Sequence, residues 1–199
     1  DKGIYGAVGR DGKRVDLFGG GILRLRPDAT ELEVFSTGTR NHLDVALNAE
    51  DEVFTYDNTD EKDWWSRVTH MVDGGYYGYP WDHRPPRPFI LPPLAEYGAG
   101  AATATLCYEE DALPEEYRGN LFLADWGRRE VFRLRIARDG GTYKLVAREE
   151  FLSDAPPDFR PVGLCLAPDG LSFYVTDWRH PDTKAKVDAG RLLRVSFTG

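Results

Sequence analysis

One pattern occurs more than once along this chain, and an internal repeat narrows the choice of fold more than any single motif does. The segment LDVALNAEDEVFTYDN (Leu43 to Asn58) and the segment VGLCLAPDGLSFYVTDW (Val162 to Trp178) share one order. An apolar run is followed by an acid-containing turn, then an aromatic run, then Asp with a polar or aromatic residue after it. RGNLFLADWGRREVFRLRI (Arg118 to Ile136) is a partial copy, with the aromatic run ending in Asp125-Trp126 and a further run behind it. In the same phase, GRLLRVSF (Gly190 to Phe197) follows the last copy, and GGILRLRPDATELEVFSTG (Gly20 to Gly38) precedes the first.

These runs are short, rich in Val, Leu, Phe and Tyr, and separated by Pro-Asp, Asp-Gly and Gly-Gly turns, which is strand patterning. The chain therefore reads as all-β. Four-stranded units repeating every ~40 to 50 residues are the signature of a β-propeller, in which each unit buries its faces only against its neighbours. With 199 residues, the chain holds roughly four such blades in a single domain, residues 1–199. Tyr76 to Gly100 breaks the pattern: its six prolines remove ladder donors and fix φ, so it reads as a long, ordered, aromatic-rich excursion over one face of the disc. LPEEYRG (Leu113 to Gly119) reads as a short helical turn before a strand.

The charge balance excludes one class of partner. A net charge of −8 without any basic block argues against nucleic acid, whose phosphates need clustered Lys and Arg. No apolar run approaches the roughly 18 residues of a membrane helix, and the first residues lack the apolar centre of a secretion signal. Cys107 and Cys165 have neither metal-ligand nor redox spacing and read as free, buried thiols; a disulfide requires their two strands to adjoin.

Three groups of residues carry candidate chemistry. YDNTDEKD (Tyr56 to Asp63) sets four carboxylates and two neutral oxygen donors at a strand end. Asp57, Asn58 and Asp60 are thus candidate ligands for a hard cation such as calcium, which takes six to eight oxygens; the alternative is a solvated acidic turn. Arg40-Asn41 and Arg160 each precede an inner strand, and Arg128 with Arg129 lies at the corresponding end of another blade. Loops entering inner strands line one mouth of a propeller channel, where guanidinium forks suit an anionic ligand; structural salt bridges are the alternative. Of the histidines His42, His70, His83 and His180, His42 is best placed for acid–base work, although none has a local partner marking a triad or a metalloprotease. Trp64, Trp65, Tyr76, Tyr77, Tyr79 and Trp81 form either a stacking platform for a sugar or planar cofactor, or part of the packing between blades.

GGGILRLRPDATELEVFSTGTRN followed by VDGGYYGYPWD resembles the soluble pyrroloquinoline-quinone (PQQ) glucose/sorbosone dehydrogenases, and YRGNLFLADWGRREVFRLRI and FRPVGLCLAPDGLSFYVTDW resemble that family's last blades. The similarity spans nearly the whole chain. It is greatest to the divergent branch that forms the propeller part of large secreted bacterial dehydrogenase-like proteins. The resemblance implies a six-bladed propeller of which this chain is the C-terminal part, PQQ over the channel mouth, a calcium ion at the quinone edge, and a sugar or polyol substrate. It also implies a secreted or periplasmic location and a c-type cytochrome as a possible electron acceptor. Arg40 and Asn41 match the family's Arg-Asn pair for quinone and substrate, Arg160 an arginine before the last inner strand, and Arg128 falls near a basic quinone-binding position. Asp57 to Asp60 occupy the calcium-loop region, with DNTD in place of the family's loop. The family's catalytic histidine has no counterpart here, so the base is expected outside this chain, and the chain alone is not expected to complete hydride transfer.

Two rivals stand beside this expectation. A calcium-dependent propeller lactonase or hydrolase requires Asp57, Asp125 and Asp177 to converge on one ion. A non-catalytic propeller scaffolding a cytochrome or carbohydrate partner fits the missing histidine and the altered loop.

Overall fold

The computed structural model describes residues 3–58, 65–82, 87–152, 155–179 and 190–198. They form sixteen strands and one 3-10 turn at Glu115–Tyr117, with no α-helix among them. A hairpin of β1 (Ile4–Val8) and β2 (Arg14–Phe18) comes first. A first sheet pairs β3 (Gly20–Arg24) with β4 (Glu33–Thr39), and β4 runs parallel to the short β8 (Gly75–Tyr76). The second sheet has the order β5 (Ala46–Leu47), β6 (Val53–Asp57), β7 (Arg67–Met71), β9 (Ala95–Glu96). The third has β10 (Ala102–Tyr108), β11 (Asn120–Asp125), β12 (Glu130–Asp139), β13 (Thr142–Leu152), and the fourth has β14 (Pro161–Leu166), β15 (Ser172–Asp177), β16 (Arg191–Ser196). Each full repeat copy thus becomes the first two strands of a meandering antiparallel sheet, the partial copy becomes β11 and β12, and the sheets are propeller blades.

Burial follows from stacking blade on blade. Every residue of β11 is buried, because alternate side chains point to opposite neighbours. Leu121 and Leu123, with Phe132 and Leu134 of β12, pack on Ala46, Phe54, Tyr56 and Val68 of the second blade. Ala124 with Val131 meets Phe159 and Val175 of the fourth, and Phe122 meets Phe173. Such two-sided burial removes the polar alternation of a half-exposed strand, which is why NLFLAD is apolar throughout but for its ends.

The excursion from Tyr76 is anchored at both ends by pairing. It leaves from β8 and returns as β9, and the ladder is extended by Leu94 N–H donating to the Val68 carbonyl (2.8 Å) and Tyr97 N–H to that of Ser66 (2.8 Å). Its departure needs Gly38, at φ 84°, where a Cβ would lie 2.7 Å from the backbone nitrogens of Tyr77 and Gly78. Cys107 and Cys165 are both free; burial pushes the Cys107 thiol up, and Cys165 is exposed rather than buried. Among the described residues no helix is long and apolar enough to cross a membrane.

Each full repeat is closed by the same polar lock. Asp57 ends β6, and its two carboxylate oxygens accept the N–H groups of Arg40 (2.8 Å) and Asn41 (2.6 Å), where the chain enters the blade. Asp177 ends β15 and accepts the N–H of Arg160 (2.8 Å) and of Arg179 (2.9 Å). Asp125 ends β11 and accepts the N–H of Ala101 and of Arg128, both at 2.9 Å. In the last two blades the following Trp returns a bond: Trp126 N–H donates to the Ala101 carbonyl (2.8 Å) and Trp178 N–H to that of Arg160 (2.9 Å). All three carboxylates are buried, so these bonds form where water cannot replace them.

A second polar cluster ties blades together near the opposite end of the strands. Glu52 accepts from the His70 ring (2.9 Å) and from Arg138 (3.1 Å), while Tyr143 donates to Glu50 (2.8 Å) and accepts from Asn48 (2.7 Å). Residues of the second blade thereby grip the β12–β13 hairpin of the third.

Both clusters have measurable consequences. Asp125→Ala strands two backbone N–H groups and the Tyr56 hydroxyl in the interior, so urea unfolding at pH 7 should show a loss of about 3 kcal/mol or more; Trp178→Ala, at an exposed position, should cost under about 1 kcal/mol. The bond from His70 holds the Glu52 carboxyl below its ordinary 4.5, with Arg138 adding to the effect. A depressed folded value gives stability that is complete above the unfolded pKa and is lost as pH falls through the folded one. The deficit of Glu52→Gln, about 1 kcal/mol, should hold constant down to roughly pH 4.5 and shrink below it in thermal melts across pH.

Candidate functional site

The locks bring three strand-entry loops and three strand-end turns to one end of the blades. At the second blade, Arg40 donates through a guanidinium nitrogen to the Asn58 side-chain oxygen (2.9 Å), which also accepts from the Asn41 amide (3.3 Å). Arg40, Asn41 and Asn58 are therefore brought together, with Asn41 exposed and Arg40 buried. Asn58 also lies 3.5 Å from the Ala102 carbonyl of the next blade. Asp57 sits directly beneath, with no exposed surface. Burial pushes its carboxyl up, against the opposing pull of His42, the two N–H donors and Arg67.

At the third blade Arg128 stands 3.5 Å from Asp125, donates to the Tyr97 carbonyl, and keeps a third of its side chain exposed. Tyr56 of the second blade donates to Asp125 at 2.7 Å; burial first and that carboxylate second raise its pKa far above the ordinary phenol. Gly100 makes room for this arrangement, since a Cβ there would lie 2.5 Å from the Asp125 carboxylate. At the fourth blade the Arg160 guanidinium stacks 4.9 Å from the Trp126 ring centre and donates to the Phe159 carbonyl (3.1 Å). The sequence places Arg40, Asn41 and Arg160 at strand entries and Arg128 after a strand at the corresponding end of another blade, and the structure sets all four at this end.

The candidate metal residues divide. Asp57 spends both oxygens on backbone donors, Asn58 is engaged by Arg40 and Asn41, and Asp60 lies outside the described residues. Among the described residues there is no cluster of three or more His, Cys, Asp or Glu suited to a metal ion. Asp57, Asp125 and Asp177 each bind the entry loop of their own blade.

His42 reaches the Gly21 carbonyl (3.0 Å), and His70 is buried between Glu52 and Thr142; His83 and His180 lie outside the described residues. The aromatic set is also dispersed. Tyr77 and Tyr79 are core, Tyr76 stacks on Phe89, Trp81 stacks on Phe18 at 4.6 Å, Trp65 is exposed, and Trp64 lies outside the described residues.

What the sequence reading missed is the role of the repeated Asp. The signal was present: Arg40 to Asp57 and Arg160 to Asp177 are both separated by 17 positions. A fixed spacing between a strand entry and a strand end marks a bond across the top of a hairpin.

Comparisons with known proteins agree with this architecture. Residues 94–187 match a family model described as a domain of unknown function, DUF7133. No curated protein matches the sequence. Among solved structures, an oxidoreductase from Thermus thermophilus described as a glucose dehydrogenase superposes with a TM-score of 0.71 at 23% identity, over 95% of this chain and 63% of that one. The PQQ-bound aldose sugar dehydrogenase of Streptomyces coelicolor gives 0.66 at 20% identity, over 96% and 60%. The soluble aldose sugar dehydrogenase of Escherichia coli, in its apo form, gives 0.60 at 18%, over 93% and 54%. The chain spans less than two thirds of the length of each of these structures, and over that span it has the all-β propeller fold of the soluble sugar dehydrogenases.

Proposed function

We propose that this chain is the quinone-holding part of a sugar dehydrogenase propeller that oxidises a sugar hydroxyl with PQQ. The observation that carries the reading is the placement of Arg40 with Asn41, Arg128 and Arg160 at matching entries and turns of three successive blades, in a protein of net charge −8. Cations gathered on one face of an acidic protein favour an anionic ligand there. PQQ is a flat tricarboxylate, and guanidinium groups bind carboxylates through paired, charge-assisted bonds.

When bound, PQQ would supply the hydride acceptor. This chain's contribution is to hold and orient it: Arg128 and Asn41 present exposed donors, while Arg40 and Arg160 add charge from beneath. Of the described histidines, His42 bonds the Gly21 carbonyl and His70 lies between Glu52 and Thr142, so neither is assigned as the base that takes the hydroxyl proton. Calcium does not fit the described donors, because Asp57 is fully buried and bonded to two backbone N–H groups. Those same commitments favour, as a second reading, a non-catalytic propeller that has kept the anion site. A hydrolase built on three converging aspartates has no such support, since each aspartate serves its own blade.

The experiment is calorimetric titration of the chain with PQQ, in the presence and absence of calcium. Micromolar binding, weakened about tenfold or more by Arg128→Ala, is the expected result. PQQ reduction on adding an aldose, measured on the full-length parent protein, would then separate the dehydrogenase from the non-catalytic reading, and no binding by the unaltered chain would overturn both.

A further inference from the structure

The lock at the end of each second strand requires an aspartate but does not require the residue after it to be aromatic. In the second blade that next residue is Asn58, and Asp57 holds its entry loop all the same. In the third and fourth blades it is tryptophan, and the return bond it makes is a backbone bond that any residue but proline can form. Two indole rings here therefore exceed what the fold needs. They touch each other, with centres 6.3 Å apart and planes at 70°, making a corner. Trp126 carries the Arg160 guanidinium against its ring, and Trp178 leaves 62% of its surface to solvent. The core aromatics of the same blades, Phe122 and Phe173, are buried almost completely, so packing accounts for them and not for Trp178.

The charge around this corner has one sign in excess. Arg129 reaches the Pro157 carbonyl (3.1 Å) in the loop that leads to Arg160. Arg179 pairs with Asp158 at 3.0 Å, Arg191 pairs with Asp158 and Asp177, and both arginines keep about a third of their side chains exposed. With Arg128 and the buried Arg160 added, five arginines stand against Asp158 and the buried Asp125 and Asp177 among the described residues of this end, in a chain whose overall charge is −8. An apolar ring face bordered by cations suits a ligand that is flat on one side and anionic at its edge.

We propose that Trp178, backed by Trp126 and bordered by Arg179, is a stacking shelf for a ring that presents an apolar face and a carboxylate at its edge. This rests on the proposed function in placing the shelf beside the quinone-holding arginines. The shared chemistry has two sources, the quinone itself or an acidic sugar, and the ring would lie on the exposed Trp178 face with its carboxylate towards the arginines. The two tryptophan backbones are fixed by their N–H bonds to the Ala101 and Arg160 carbonyls, so the shelf's backbone is preorganised and less ordering cost opposes binding.

The test is calorimetric titration of the whole chain with PQQ, with D-glucuronate and with D-glucose, repeated on Trp178→Ala and Trp178→Phe. At least one of the two acids should bind, Trp178→Ala should weaken it about tenfold, and Trp178→Phe should stay within about threefold of the parent; glucose should bind neither variant nor parent measurably. Equal binding by Trp178→Ala and the parent, or no binding of either acid, would overturn the shelf. The two readings fail separately. PQQ bound equally with and without the indole, with no glucuronate binding through Trp178, leaves the dehydrogenase reading standing and removes the shelf, whereas glucuronate bound through Trp178 in a chain that ignores PQQ does the reverse.

Discussion

A buried carboxylate at the end of each second strand is the interaction on which this architecture depends. An inner propeller strand enters from a loop that has no ladder partner on the channel side, so its first N–H groups need an acceptor from elsewhere. Asp57, Asp125 and Asp177 supply it from the neighbouring strand of the same blade. A short side chain with two oxygens can bridge two backbone donors at once, which a serine or asparagine cannot do with charge. Burying that charge is costly, and the cost is offset because every carboxylate also meets a further donor or cation: Arg67 acts on Asp57, Tyr56 and Arg128 on Asp125, Arg191 on Asp177.

The same bonds connect one blade to the next. Tyr56 belongs to the second blade, but its hydroxyl ends on the carboxylate that closes the third, and its backbone N–H donates to Thr105 of β10 at 3.1 Å. Thr103, the extra residue of a bulge where β10 begins, donates to the Pro161 carbonyl at the start of β14, so the third blade is bonded to the fourth in turn. The fourth blade has a matching bulge between Pro161 and Gly163. Bulges at strand entries redirect the chain and aim side chains at a rim. The relative positions of Arg40, Arg128 and Arg160 therefore rest on a continuous line of hydrogen bonds rather than on loops alone.

Much of the fold was legible because its signals are periodic. The copies at Leu43–Asn58 and Val162–Trp178 became β5–β6 and β14–β15, and Arg118–Ile136 became β11 and β12. The elements missed are those without a period. β8 and β9 have two residues each and exist because the excursion closes on strands already formed, which is tertiary pairing with no local propensity behind it. The β1–β2 hairpin had a local signal, the Asp11-Gly12 turn with Gly12 at φ 83°, but its half-exposed strands lack the apolar content that marked the others. At the site, residue types and positions were readable, whereas the use of each carboxylate was not. A sequence shows that Asp57 is acidic and lies at a strand end; only the register of β6 against the Arg40 entry shows that backbone N–H groups, not a cation, occupy its oxygens.

Comparison among the blades separates what the fold requires from what it leaves open. The donors to the three aspartates are backbone N–H groups, so the lock is indifferent to the side chain that carries them. Ala101 fills the role in the third blade as well as Arg40 and Arg160 do in the second and fourth. The residue after the aspartate is equally unconstrained, being Asn58 in one blade and tryptophan in two. Arginines and indoles at these positions are therefore not required by the lock itself. Arg179 and Arg191 converge on Asp158, and the repulsion between their charges is offset by that carboxylate and by Asp177. The geometry of the rim thus comes from the lock, and its chemistry from the side chains beside it.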